Sequence, residues 1–208
     1  MRTTVMRLLL AATLFSLLVV VCGSVSFAQG NSTNIIRSCS EATRFVQNGH
    51  PAHKQTAAID YLARCGNAGA TVVAGTVASV HDERDLNTLT EFFNRLYHWR
   101  DATVMQATIT LAQDGSATVP ARVFAITNLL RLVNPGYQYS YAKLTEEGVH
   151  APHIPCVHGY ASDGTSGAAF GQPLPADYES RIGAVLTSLS TDTSQPMAVR
   201  NAASCIAF

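Results

Sequence analysis

Four short stretches of this chain share one layout, a residue suited to opening a helix followed by apolar positions at helical offsets. The openings are Pro51, Asp82, Pro120 and Pro196, which recur at roughly 31–38 residues or twice that. Behind them stand Ala57, Thr88, Ile126 and Ala202, and one helical turn later Tyr61, Phe92, Leu130 and Ile206. Three of the first set and all of the second are apolar. A unit this short cannot bury its apolar side alone, so recurrence of this kind demands that successive units stack.

The intervening residues supply a partner for each of these helices. Ser38 predicts an N-cap and Glu41 completes a capping box, with Ala42, Phe45 and Val46 as the apolar stripe and Asn48-Gly49 as the stop. Beyond Pro51, the face formed by Ala57, Ala58, Tyr61 and Leu62 runs to Cys65-Gly66. Residues 68–80 are apolar on most sides, which implies burial between neighbours. A polar turn at 81–85 offers Asp82 or Asp85 as the next cap. Residues 86–100 then place Leu86, Leu89, Phe93, Leu96 and Tyr97 on one side and Asn87, Glu91, Asn94, Arg95 and His98 on the other. Asp101 caps a helix over 102–111, and Asp114-Gly115-Ser116 is a turn. Pro120 sits in the first turn of a helix with Val123, Ile126, Leu130 and Val133 down one face, until Asn134-Pro135-Gly136 breaks it. Residues 134–175 have no helical period and read as one long irregular loop, with an alternating run at 137–144 that suits a short strand or extended segment. Asp177 is expected to cap residues 178–189, and a turn at 190–195 leads to a last helix from Pro196. The expected class is all-α, a short α-solenoid of about four antiparallel helical hairpins forming a single domain over 38–208.

Within the last of these helices, Pro196, Val199-Arg200 and Ala203 resemble the second helix of a HEAT repeat, where proline, Val-Arg and a small residue recur at these offsets. Pro120 with Val123, and Pro51, are similar but carry Phe124 and Gln55 where the arginine stands. The resemblance covers roughly residues 38–133 and 176–208. It implies an all-α solenoid whose second helices line the concave side, and it implies no chemistry.

Ahead of the repeats lies a segment with a different purpose. Arg2 and Arg7 precede an apolar run over 8–21, and Ser26-Phe27-Ala28 presents small residues for cleavage after Ala28. That arrangement predicts a secretory signal peptide over 1–28, followed by a flexible leader over 29–37, and therefore a secreted or periplasmic location. Cys22 follows bulky Val21, which does not suit a lipoprotein signal. The other four cysteines, Cys39, Cys65, Cys156 and Cys205, are an even number in an exported chain and favour two disulfides with three possible connectivities. Hairpin geometry selects among them: Cys39 opens the first helix and Cys65 ends its antiparallel partner, so those ends meet. Cys156 and Cys205 are left to tie the long loop to the last helix.

Chemistry is sparse. The formal net charge is +0, from 14 Lys+Arg against 14 Asp+Glu, and the basic residues are scattered, so no footprint for nucleic acid or an anionic membrane is visible. His150, His153 and His158 around Cys156 are the one cluster of metal-ligand types, but Pro152 and Pro155 stiffen the backbone between them and the disulfide competes for the thiol. No Gly-x-Ser-x-Gly elbow or phosphate-binding loop occurs. The expected function is an exported, non-enzymatic module that binds a protein partner, with no cofactor and no stable membrane insertion once the signal is removed. Its candidate face is Glu91, Asn94, Arg95 and His98, on the concave side in the solenoid reading. The alternatives are a metal-binding protein using the His150–His158 loop and a repeat-built enzyme.

Overall fold

Side-chain hydrogen bonds cap the first turn of several of the described helices. In the computed structural model, which describes residues 36–48, 52–96, 99–133, 137–139, 156–158 and 174–207, helix α1 (Cys39–Asn48) starts where Ser38 Oγ accepts the Glu41 N–H at 3.1 Å. Glu41 reaches back to the N–H of Arg37 at 2.9 Å, one residue beyond the usual return bond of a capping box. The expected signal peptide, Cys22 and most of the leader lie outside the described residues, as does most of 134–175.

Helix α2 (Ala52–Leu62) passes through a 3-10 turn, Ala63–Cys65, straight into α3 (Gly66–Ser79). Gly66 makes that change of direction at a φ of 59°, a conformation that side chains with a Cβ avoid. Gly69 permits the close approach that follows, because a Cβ there would lie 2.1 Å from the Leu62 carbonyl oxygen. Helix α4 (Leu86–Leu96) is capped by Asp85, which accepts from the Asn87 N–H at 3.3 Å and the Thr88 N–H at 3.1 Å. The alignment of this opening on Asp82 is therefore corrected by three residues: Asp82 turns its carboxylate to His81 instead. The helix also ends earlier than its apolar period suggests, at Leu96, whose carbonyl accepts the N–H of the buried Trp99.

Helix α5 (Ala102–Gln113) begins as expected at Asp101, which accepts the N–H groups of Thr103 and Val104. Thr118 Oγ1 caps α6 (Val119–Val133) through the Ala121 N–H at 3.4 Å. Helix α7 (Tyr178–Thr191) departs from expectation, since the Asp177 side chain makes no capping hydrogen bond and pairs with Arg181 one turn on, at 3.7 Å. Helix α8 (Met197–Ser204) opens after Pro196 and closes in a 3-10 turn, Cys205–Ala207.

The stretch expected to be one irregular loop contains a small antiparallel ribbon. Strand β1 (Tyr137–Tyr139) pairs with β2 (Cys156–His158) in the register Tyr137 to His158 and Tyr139 to Cys156. Apart from this ribbon and the 3-10 turns, the regular structure among the described residues is α-helical. None of its helices is long and apolar enough to cross a membrane.

The helices pack in two series. Helices α1, α3, α5 and α7 touch in that order, and so do α2, α4, α6 and α8. Across the series α1 packs on α2, α5 on α6 and α7 on α8. Helix α6 sits at the centre against α4, α5, α7 and α8, and its residues from Ala121 to Leu130 are buried all round. A single apolar face led by Val123, Ile126 and Leu130 thus understates it. Ile126, Leu129 and Leu130 are fully buried, and each such side chain stabilises the fold by about 1.5–3 kcal/mol before the entropy of ordering it is counted.

Cys39 and Cys65 form a disulfide across the ends of the first helix pair, with Cα atoms 5.9 Å apart and a sequence separation of 26. Closing a loop of that length in the unfolded chain is worth roughly 3–4 kcal/mol. Cys205 is fully buried and also disulfide-bonded. Its expected partner, Cys156, is described through its backbone alone.

Candidate functional site

The polar side of α4 is where the sequence places a binding face. Glu91, Asn94 and Arg95 are all exposed there, and His98 lies outside the described residues. Arg95 donates to Asp60 of α2 at 3.3 Å, and Asn94 accepts from Arg131 of α6 at 3.5 Å. Three neighbouring helices of one series thus carry a connected row of exposed polar groups. Pairs this exposed contribute at most about 1 kcal/mol each to stability.

A second polar system runs along the turns between the paired helices. His81, in the turn after α3, places Nδ1 3.0 Å from Asp82 Oδ1 and Nε2 3.0 Å from Ser116 Oγ and 3.2 Å from Asp114 Oδ2. Ser116 and Asp114 belong to the turn between α5 and α6. Thr118 strengthens the same junction, its N–H donating to the His81 carbonyl at 3.0 Å and its hydroxyl to the Glu83 carbonyl at 2.7 Å. Arg122, 2 % exposed, continues the line: Nε donates to the Ala112 carbonyl at 3.1 Å and Nη2 to Gln195 Oε1 at 2.6 Å. Gln195 donates in turn to Asp192 at 2.8 Å in the turn between α7 and α8. Three turns far apart in sequence are joined edge to edge.

Electrostatics follow from these bonds. Hydrogen bonds from the Gln195 and Ser194 side chains and the Ser194 N–H hold the Asp192 carboxyl down at about 2, with the Arg200 charge adding to them. Asp114 is held below the usual carboxylate range by the Ser116 hydroxyl, then by the Ser116 N–H and the nearby His81. Burial pushes the Arg122 guanidinium down, and the negative charge of Asp114 opposes that.

Asp82, His81 and Ser116 stand in the order of an acid–base–hydroxyl relay, but their hydrogen bonds serve another purpose. The Ser116 hydroxyl lies 2.6 Å from Asp114 Oδ1 and donates to it, so its proton is committed to a carboxylate rather than to the imidazole. The same Asp114 oxygen accepts the Ser116 N–H at 2.9 Å. That is an Asx turn closed by side chain and backbone together, and it locks the turn.

Of the residues read as metal-ligand types, His150 and His153 lie outside the described residues, and His158 and Cys156 are described only as the backbone of β2. Among the described residues no His, Cys, Asp and Glu side chains group as a metal site. Sequence reasoning missed Arg122 and the turn network. Their signal is a shared spacing: Asp114-x-Ser116 precedes Arg122 by the same interval at which Asp192-x-Ser194 precedes Arg200. No protein family, curated protein or solved structure matches the chain.

Proposed function

We propose that the chain is an exported, non-enzymatic interaction module, a short HEAT-like α-solenoid of about four helical hairpins that binds a protein along the exposed face of α4 and its neighbours. The carrying observation is the two-series order of the helices, bridged by contacts that repeat at one sequence separation. Asp60 with Arg95, His81 with Ser116, Glu83 with Thr118 and Phe93 with Asn128 all pair across 35 residues. Asn94 with Arg131 spans 37, and a near-constant separation between neighbouring units is what stacked repeats produce. The disulfide between Cys39 and Cys65 is in keeping with an extracytoplasmic location, where such bonds persist.

Crosslinking and pull-down from extracytoplasmic extract, with the double variant Glu91→Ala and Arg95→Ala as comparison, test the binding face. A partner captured by the natural chain and lost with the variant supports the proposal. Partners captured equally by both place the interaction elsewhere. Because Arg95 holds Asp60 only on the surface, the variant is expected to fold, and circular dichroism checks that it does.

A further inference from the structure

We propose that the inner side of α6 is a docking surface filled from within the chain, by the ribbon of β1 and β2, so that the face open to a partner ends at α4. The inference rests on the stacked-repeat reading, which sets the register between neighbouring helices. Phe93 of α4 and Asn128 of α6 meet across 35 residues. The same separation makes Ile126, Leu129 and Leu130 the counterparts of Glu91, Asn94 and Arg95. The three residues on α4 are polar and exposed, whereas the three on α6 are apolar and 0 % exposed. A row that is open to water on one helix is thus apolar and covered on the next. Left open, three such side chains would make an apolar patch in the middle of a polar face.

What covers that row follows from the elements packed on each helix. Helix α4 touches α2 and α6, its neighbours within the series, and they leave Glu91, Asn94 and Arg95 open. Helix α6 has the corresponding neighbours in α4 and α8, and is joined by α5 and α7 of the other series. The remaining element packed against it is β1, which has no counterpart on α4. Strand β1 also packs on the 3-10 turn Cys205–Ala207 that closes α8. Counted from Thr118 and Pro196, the residues that open the two helices, this turn stands level with 127–129 of α6. The ribbon is therefore held beside Ile126, Leu129 and Leu130. Its anchor is covalent in kind: Cys205 is buried and disulfide-bonded, and its expected partner, Cys156, stands opposite Tyr139 in the ribbon. The partner that fits the remaining face is one that seats on the polar, charge-paired groups of α2 and α4, Asp60 with Arg95 among them, and stops at the ribbon.

Nuclear Overhauser effects on the isotope-labelled full chain test the occupant directly. The methyl groups of Ile126, Leu129 and Leu130 are expected to give cross-peaks to the backbone amide protons of Tyr137–Tyr139. Cross-peaks from these methyls to α8 or to other residues, with none to β1, overturn the proposal. So does a set that appears only as concentration rises, which marks a second copy as the cover. A variant adds an independent reading. Gln138→Pro puts into β1 a residue that can neither donate to the ladder nor sit easily inside a strand, and it is expected to unseat the ribbon. Loss of the cross-peaks, with a rise in the fluorescence of anilinonaphthalene sulfonate and unchanged helical circular dichroism, supports the proposal. Loss of the cross-peaks with no gain in dye binding overturns it, because no apolar row has been uncovered. Neither measurement involves a binding partner, so failure here leaves the pull-down with Glu91→Ala and Arg95→Ala to be judged on its own result.

Discussion

The turn between α5 and α6 and the turn between α7 and α8 are built alike and end in different circumstances. In each an aspartate just past the helix end, Asp114 or Asp192, accepts the N–H and hydroxyl of a serine two residues on, at 2.9 and 2.6 Å in the first and 2.9 and 2.7 Å in the second. Even the backbone of the two aspartates agrees, with φ and ψ of −71° and 102° against −74° and 105°. An arginine follows in the next helix. Arg122 donates to a carbonyl behind it and to Gln195 of the next turn, whereas the Nε of Arg200 is buried with no hydrogen-bond partner among the described residues. Local turn chemistry is repeated, and the energetic weight of the arginine comes from what is packed against it.

The sharpest way to break this comparison is to remove each arginine in turn. Arg122→Met keeps much of the volume but leaves the Ala112 carbonyl and the half-buried Gln195 Oε1 without their donor. It is expected to cost about 3–5 kcal/mol in chemical denaturation, from two hydrogen bonds of a charged donor at about 1.5–3 kcal/mol each. Arg200→Met, which discards an unsatisfied donor, is expected to change stability by about 1 kcal/mol or less. Equal losses at both sites would mean that the arginines act through their hydrocarbon stems, and that the hydrogen bonds of Arg122 carry little.

Next in size is the first helix pair, which has a covalent closure where the later pairs have turns. Replacing Cys39 and Cys65 together by serine is expected to lower stability by roughly 3–4 kcal/mol, read from urea midpoints under oxidising conditions. A smaller loss is expected from Asn128→Leu. Asn128 is buried in α6 and donates from Nδ2 to the Phe93 carbonyl in the last turn of α4 at 3.2 Å. Without it that carbonyl loses a buried donor, at a cost of about 1–2 kcal/mol. Asn128, like Arg122, marks the position of α6 between neighbours.

These residues also show what a reader of the sequence could and could not see. The caps at Ser38 and Asp101 and the disulfide between Cys39 and Cys65 are legible because each depends on a few adjacent residues or on the ends of one helix pair. Asp177 looks like a cap and is not one, since its carboxylate is drawn to Arg181 instead of the first-turn N–H groups. Asp82 and Asp85 are both plausible caps, and the decision falls to Asp85 because His81 takes the other. The burial of α6 was hidden by its own sequence, in which Arg122, Thr127, Asn128 and Arg131 suggest a polar side. Arg122 and Asn128 are inside because backbone carbonyls of other helices receive them, and Thr127 because its hydroxyl bonds the Val123 carbonyl at 3.0 Å. On the candidate face, the exposure of Glu91, Asn94 and Arg95 followed from the helical period. Their links to Asp60 and Arg131 depended on neighbours that only packing brings together.

The finest test of the comparison is acid. Asp192 has a carboxyl held at about 2 in the folded chain, against an ordinary value of 3.8, chiefly by the Gln195 side chain and then by Ser194. A folded-state value below the unfolded one means that the group stabilises the protein above the ordinary value. The contribution is lost as pH falls from about 3.8 towards about 2. Asp114 is shifted in the same direction by Ser116, with His81 assisting. Thermal midpoints measured across this window are therefore expected to decline in the natural chain and to decline less in Asp192→Asn and in Asp114→Asn. Asp192, with the Gln195 side chain added to the serine bonds, is held the lower of the two, so Asp192→Asn is expected to flatten the acid decline more than Asp114→Asn does. Equal flattening would mean that the two turns hold their carboxylates alike, and that the Gln195 bond adds nothing to the serine bonds they share.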